Sequence, residues 1–264
     1  MLPLKEFPET ERRAIRGVFC DIDDTLTTNG QLTGQAYAAL ERLQAAGLSV
    51  IPITGRPAGW CDMIARFWPV AAVVGENGAL YFRYDHGKRA MRRTYADDAA
   101  TRARNRERLA AIGNEIVKAV PGCAVAADQP YREADLAIDY REDVASLPPD
   151  AVERIVALMQ ARGLTAKVSS IHVNGWFGAY DKLTMARRLM RDEFGVDLDA
   201  ARAAHAFVGD SPNDAPMFAF FPHSVGVANI RDFAGRLRHE PKYVTAAPGG
   251  AGFRELADFI LAGR

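Results

Sequence analysis

The sequence predicts an α/β fold: a doubly wound parallel (Rossmann-like) sheet with a smaller α+β domain inserted into it. Three observations lead there. Over residues 1–83, short apolar runs ending in a polar or acidic residue alternate with stretches of helical periodicity. The middle of the chain then changes character, with one long charged helical stretch and strands that come in pairs. After it, the single alternation of helix and strand resumes.

The elements follow in order. Arg16 to Asp21 reads as a buried strand that delivers a carboxylate to a sheet edge. Thr33 can cap a helix that places Ala36, Leu40 and Leu43 on one face, and Gly47 supplies its left-handed stop. Leu48 to Ile53 is a second strand, ending in Thr54-Gly55-Arg56, and a helix through Met63, Ile64 and Phe67 follows. Ala71 to Val74 is a third strand, from which Glu76-Asn77-Gly78 turns into Ala79 to Phe82. The inserted domain is set at 84–179, leaving 1–83 and 180–264 as the core. Within the insertion, a helix is expected over Tyr95 to Lys118 and another over Ala151 to Arg162. Its strands are expected at Ala124 to Ala127, Leu136 to Tyr140, Lys167 to His172 and Trp176 to Tyr180, with Asn174-Gly175 available as a hairpin turn. A helix from Lys182 to Phe194, a strand from His205 to Val208 and short strands near Val225 and Tyr243 complete the core.

Composition narrows the function. Of the 264 residues 48% are apolar and 25% charged, enough to bury a proper core. The 33 basic residues balance the 33 acidic ones, so no bulk field recruits nucleic acid or an anionic membrane, and any anion site must be local. Cys20, Cys61 and Cys123 are an odd count without a C-x-x-C pair, which argues against a disulfide framework and a zinc cluster. The first residues carry no apolar signal core and no stretch is long and apolar enough to span a membrane, so a cytoplasmic protein is expected.

Asp21 and Asp23 sit two apart just past a strand, where a short bend can converge them on a cation, and two carboxylates with water suit Mg²⁺. Asp21, Thr54 and Asp210 all lie at the carboxyl ends of expected strands, which is where open α/β sheets bind ligands. With Lys182 and the Gly209-Asp210-Ser211-Pro212-Asn213-Asp214 loop they supply a nucleophile, phosphate donors, a cation and a metal site, the needs of phosphoryl transfer.

Four motifs in this order resemble the haloacid dehalogenase superfamily of phosphatases: Asp21-Ile22-Asp23-Asp24-Thr25, then Thr54, Lys182, and Gly209 to Asp214. A large insertion between the second and third motifs is similar to the type IIB branch, the Cof-like, sucrose-phosphatase-like and mannosyl-3-phosphoglycerate-phosphatase-like members. The resemblance implies that Asp21 attacks phosphorus to give an aspartyl-phosphate and that Asp23 serves as acid and then base. It implies Mg²⁺ on the Asp21 carboxylate, the Asp23 backbone carbonyl and Asp210, with Asn213 or Asp214 close by, and phosphate oxygens held by Thr54 and Lys182. Three positions depart from the family pattern: Asp24, Ser211 and Leu183 stand where Gly is frequent.

The expected activity is hydrolysis of a small soluble phosphate ester, such as a sugar phosphate, by a monomer or homodimer. A sugar phosphomutase is the alternative within enzymes, and a phosphoacceptor signalling module the alternative outside them. Arg56 can touch phosphate or serve as an early-helix cation. In the insertion, Asn174 and Trp176, in a cluster with His172 and Tyr180, are candidates to read the leaving group. The arginine-rich run at 102–108 is interrupted by Glu107 and reads as a solvated helix face.

Overall fold

Residues 1–262 and 264 of the chain are described in a computed structural model. Its central sheet has six parallel strands in the order Leu2–Pro3, Tyr243–Val244, His223–Gly226, His205–Gly209, Gly17–Cys20 and Ser49–Pro52. A parallel bridge from Ile53 to Val74 leads on to Val73–Gly75. That strand pairs antiparallel with Leu80–Asp85, which pairs with Ala90–Tyr95. From Gly17–Cys20 the chain goes first to Ser49–Pro52 on one side, and the later strands stack on the other. The reversal opens a crevice past the carboxyl ends of Gly17–Cys20 and His205–Gly209. Asp21 and Asp210 are the next residues after those two strands.

Both faces of this sheet are covered, which is why its strands are apolar at nearly every position. Val18, Cys20, Val50, Ala206 and Val208 pack toward the helices Gly34–Ala45 and Gly249–Leu261. Their neighbours Phe19, Ile51 and Phe207 pack toward Lys182–Phe194 and Ala215–Phe220. Thr33 caps its helix as expected, accepting from the Ala36 N–H. Among the described residues, the elements that were not expected include Leu2–Pro3, the helix Glu9–Ala14, the strand Ala90–Tyr95, the helix Ala215–Phe220 and the helix Gly249–Leu261. The last begins with two glycines after a proline, a poor helix start by propensity that burial of Phe253, Leu256 and Ile260 overrides.

The insertion builds its own sheet, in the order Thr165–Val168, His172–Trp176, Asp135–Asp139 and Ala124–Val125, antiparallel throughout. Helices Ala99–Ala119 and Pro149–Ala161 cover one face, where Leu136, Ile138 and Val173 meet Leu109, Ile116, Ile155 and Met159. Side chains alternate along a strand, so Asp135, Asp139, His172, Asn174 and Trp176 fall on the opposite face, where all are buried.

The strands expected at Lys167 to His172 and Trp176 to Tyr180 are displaced. Asn174-Gly175 is not a turn but the middle of the strand His172–Trp176, and the turn lies at 169–171. Gly175 is there for closeness: a Cβ on it would stand 2.6 Å from the Met159 sulfur. Local turn propensity lost to packing of a helix on the sheet.

Candidate active site

Asp21 leaves its strand buried, with its N–H donating to the Val208 carbonyl at 2.9 Å, which locks the two neighbouring strand ends together. Lys182 opens its helix with its side chain buried and donates from Nζ to Asp21 Oδ1 at 2.8 Å and to Asp214 Oδ1 at 2.7 Å. Asp214 Oδ2 accepts from the Asp210 N–H at 3.2 Å, and a Cβ at Gly209 would collide with that carboxylate, so the glycine is what lets the loop fold back so closely. Asp210 Oδ1 accepts from Thr25 Oγ1 at 3.2 Å, while its Oδ2 is buried without a partner. One oxygen from each of Asp21, Asp210 and Asp214 lies within 4.8 Å of the others. Thr54 is fully buried at the next strand end, and its Oγ1 accepts from the Arg56 N–H at 3.0 Å, leaving the hydroxyl hydrogen free to donate.

Asp23 is placed differently. Its carboxylate takes Arg56 in a two-oxygen grip, with contacts of 2.7, 2.9 and 3.0 Å. Arg56 also reaches into the insertion, to Glu142 at 2.6 and 3.2 Å and to Asp128 at 3.6 Å, and lies over the Trp60 ring at 4.5 Å. Burial alone would raise the Glu142 carboxyl, but His172 and Arg56 outweigh it and hold it down at about 2. A second bridge is built by Glu76, left-handed at φ 46°, whose buried carboxylate accepts from the N–H groups of Ala58, Glu133, Ala134 and Asp135 at 2.7–3.2 Å. Next to it, Arg132 pairs with Asp128 and Asp135 and donates to the Gly55 carbonyl at 2.8 Å. The insertion is thereby clamped to the very loop that carries Thr54.

Of the residues singled out by sequence, Asp21, Thr54, Lys182, Asp210 and Asp214 thus converge at the switch point, with Asp23 beside them. Asn213 borders the same cleft, and its Oδ1 accepts from Ser211 Oγ at 2.7 Å. Asn174 borders it too, donating to Asp135 Oδ2 at 3.1 Å. Trp176 does not line it: the ring is 1% exposed, stacks on Tyr180 and donates to the Tyr180 carbonyl. Arg132 and Glu142 were missed, since each is one charge in a loop without periodicity or motif. Only the tertiary contact reveals them.

Residues 18–104 match the family described as haloacid dehalogenase-like hydrolase, a span that carries both Asp21 and Thr54. A phosphoglycolate phosphatase of Pyrobaculum neutrophilum is 27% identical over 248 residues, covering 92% of this chain and 94% of that protein. In both comparisons the chain is similar to haloacid dehalogenase-like hydrolases and phosphatases. Similar solved structures include a HAD/COF-like hydrolase from Plasmodium vivax, with TM-score 0.69, 17% identity and 97% and 100% of the two chains covered. Another is the sucrose-phosphatase of Synechocystis in complex with sucrose and phosphate, with TM-score 0.62, 15% identity and 94% and 98% covered. At these identities the structures establish the shared fold. Between Thr54 and Lys182 lies the separate four-stranded antiparallel sheet that the sequence assigned to an insertion.

Similarity to haloacid dehalogenase-like hydrolases suggests a divalent cation, and the carboxylates fit one. Of the three buried acids, Asp21 and Asp214 share the buried Lys182 ammonium, and Asp210 Oδ2 has no donor at all. Buried carboxylates left unpaired cost several kcal/mol, on the order a bound dication offsets. Burial pushes the Asp21 carboxyl up to about 7, with Asp214 and Asp23 adding to the rise and Lys182 opposing it, and burial likewise raises Asp210. A folded value above the ordinary 3.8 means the native state holds extra protons between about pH 4 and pH 7. Metal-free protein is therefore expected to lose stability as pH rises through that window, and a cation that favours the carboxylates to restore it. Thermal melts in chelator should show Tm falling from pH 5 to pH 8, with added Mg²⁺ raising Tm more at pH 8 than at pH 5. A magnesium effect equal at both pH values would contradict this reading of the carboxylates.

Asp24, which departs from the glycine frequent in the family it resembles, has φ +55°, in the left-handed region that favours glycine. An aspartate tolerates that conformation and adds a negative charge beside the carboxylate cluster, where it acts on Asp210. Asp24→Gly is expected to change stability by less than about 1 kcal/mol and to lower KM for a phosphate ester a few-fold. An unchanged or higher KM would show that the charge is screened.

Proposed function

We propose that the enzyme is a magnesium-dependent phosphomonoester hydrolase working through an aspartyl-phosphate on Asp21, with the insertion, expected over 84–179, acting as its cap. The observation that carries this reading is Lys182 Nζ seated between Asp21 and Asp214, buried at the strand switch point with Asp210 alongside. In the first step the Asp21 carboxylate attacks phosphorus, a P–O bond forms on its oxygen, and the bond to the leaving oxygen breaks. Asp23, released from Arg56, gives its proton to that oxygen and later takes one from the water that hydrolyses the acyl phosphate. Lys182 offsets the repulsion between Asp21 and the phosphate dianion, and the free Thr54 hydroxyl hydrogen donates to a phosphate oxygen.

Asp21, Asp210 and Asp214 would hold the cation, together with the Asp23 carbonyl, because the Asp23 carboxylate is engaged by Arg56. When bound, Mg²⁺ would neutralise charge on the phosphate oxygens, and the all-oxygen donor set suits it. A small soluble phosphate ester is the substrate, in keeping with the phosphoglycolate phosphatase and the sucrose-phosphatase to which the chain is similar. No helix among the described residues is long and apolar enough to cross a membrane. Incubation of the purified protein with phosphorylated metabolites and Mg²⁺ is expected to release inorganic phosphate. Interconversion of sugar-phosphate isomers without release would instead favour the mutase, and a phosphoprotein lasting minutes without turnover the signalling module.

A further inference from the structure

The cleft bounded by Asp21, Asp23, Arg56, Ser169, Ile171 and His172 holds about 10 Å³, room for about one water molecule, so part of its wall must move before a phosphate ester reaches Asp21. Asp21 and Asp23 are held by Lys182 and Arg56, and His172 belongs to a strand paired on both sides. Ser169 and Ile171 belong to the turn beyond the last pair of its two strands, Val168 with Val173. That turn is tied to the rest of the insertion through Tyr140, whose hydroxyl donates to the Ser169 carbonyl at 2.6 Å and whose N–H donates to the Ile171 carbonyl at 3.4 Å. Behind it lies a chamber of about 700 Å³ between the insertion and the core. Ser170 and Tyr140 line the chamber, as do Asp24 and Asp210, and Asp210 has an oxygen within 4.8 Å of one on Asp21. The turn is thus the partition between the small cleft and the large chamber: its outer residues border one and its middle residue the other.

We propose that this chamber takes the leaving group, with the turn at 169–171 yielding so that the cleft at Asp21 opens into it. The substrate class is then the phosphate monoester of a bulky, largely apolar alcohol that carries no anionic group. This rests on the phosphatase reading of the same site. Size points to such a ligand, because a volume of about 700 Å³ suits a ring-bearing molecule and a two-carbon alcohol leaves it nearly empty. So does the lining: Leu147, Val152 and Val168 of the insertion present apolar side chains, and Tyr140 and Phe233 bring one aromatic ring from each side. Burying an apolar ring against such a wall strengthens binding roughly 10- to 100-fold. The charges exclude an anion. Asp24, Asp210, Asp232 and Glu153 set four carboxylates against the two guanidiniums of Arg141 and Arg236, both of which are exposed. Asp210, with Asp24 acting on it, stands beside Asp21, so an anionic leaving group is repelled where it would enter.

The test uses ethyl, benzyl and 2-naphthylmethyl phosphate, alkyl esters whose leaving alcohols differ little in acidity, with 2-phosphoglycolate as the small anionic comparison. With Mg²⁺ present, kcat/KM is expected to rise at least about 30-fold from the ethyl to the naphthylmethyl ester, carried mainly by KM. It is expected to be lower for 2-phosphoglycolate than for the naphthylmethyl ester. Val152→Trp, which fills the chamber, and Phe233→Ala, which removes its core-side ring, should each cut the naphthylmethyl-to-ethyl ratio at least about fivefold. A kcat/KM that is flat or falls with size overturns the chamber as the leaving-group site, as does a higher value for 2-phosphoglycolate or a ratio untouched by both substitutions. Absence of turnover of all four esters would count against the phosphatase reading instead. In that case calorimetric binding to the same protein decides the chamber: tighter binding of the naphthylmethyl than of the ethyl ester supports it, and equal binding overturns it.

Discussion

Asp21→Asn is expected to abolish phosphate release, with a loss of at least about 10⁴-fold in kcat, while the protein stays folded. The amide is nearly the shape of the carboxylate, and its oxygen can still accept from Lys182 Nζ, now at 2.8 Å from Asp21 Oδ1. What disappears is the proposed nucleophile, and no neighbour replaces it. Asp210 is tied to Thr25, and Asp214 is tied to Lys182 and to the Asp210 N–H. Stability should move in the other direction from activity in metal-free protein, because the change removes one of three crowded buried carboxylates. A melting temperature in chelator equal to or above wild type, with silent chemistry, is the expected pair of results. Retained turnover would take Asp21 out of the nucleophile role.

Lys182→Met is expected to be the most damaging change to the fold of the site as well as to its chemistry. The ammonium is buried between Asp21 and Asp214, and burial would lower its affinity for a proton were those two carboxylates not raising it well above the ordinary lysine range. Replacing it by a side chain of similar length leaves both acids without a cation, a loss of about 3–5 kcal/mol for a broken buried pair. Activity should fall by at least about 100-fold, since Lys182 also offsets the repulsion between Asp21 and an incoming phosphate dianion. Added Mg²⁺ should recover part of the lost stability and little of the activity. Denaturant melts and initial rates on the same preparations separate the two. A variant as stable as wild type in chelator would mean that the carboxylates are already protonated there.

Most of the core and of the candidate site could be read without coordinates. Strands buried on both faces are continuous apolar runs, and the acids and Thr54 that end them stand out because polar residues there have no local structural purpose. The helix from Lys182 to Phe194 was legible to the residue, since apolar spacing is a local signal, and the structure adds its Asp181 cap. Asn174-Gly175 misled because turn propensity is also local, whereas the close approach of Met159 that requires the glycine comes from a distant helix. Gly249–Leu261 escaped for the converse reason: propensity was against it and long-range burial decided.

The sequence by itself determined the α/β class and the order of the four motifs, and it singled out Asp21, Thr54, Lys182 and Asp210 as candidates, with Asn213 or Asp214 beside them, because strand-end chemistry is written in short contiguous segments. The tertiary structure alone decided which charges meet. Arg56 joins Asp23 to Glu142 across 86 positions of chain, and Glu76 clamps the insertion across 57 to 59. Such pairings depend on how two sheets dock, and a lone charge in a loop carries no mark of the partner it will find.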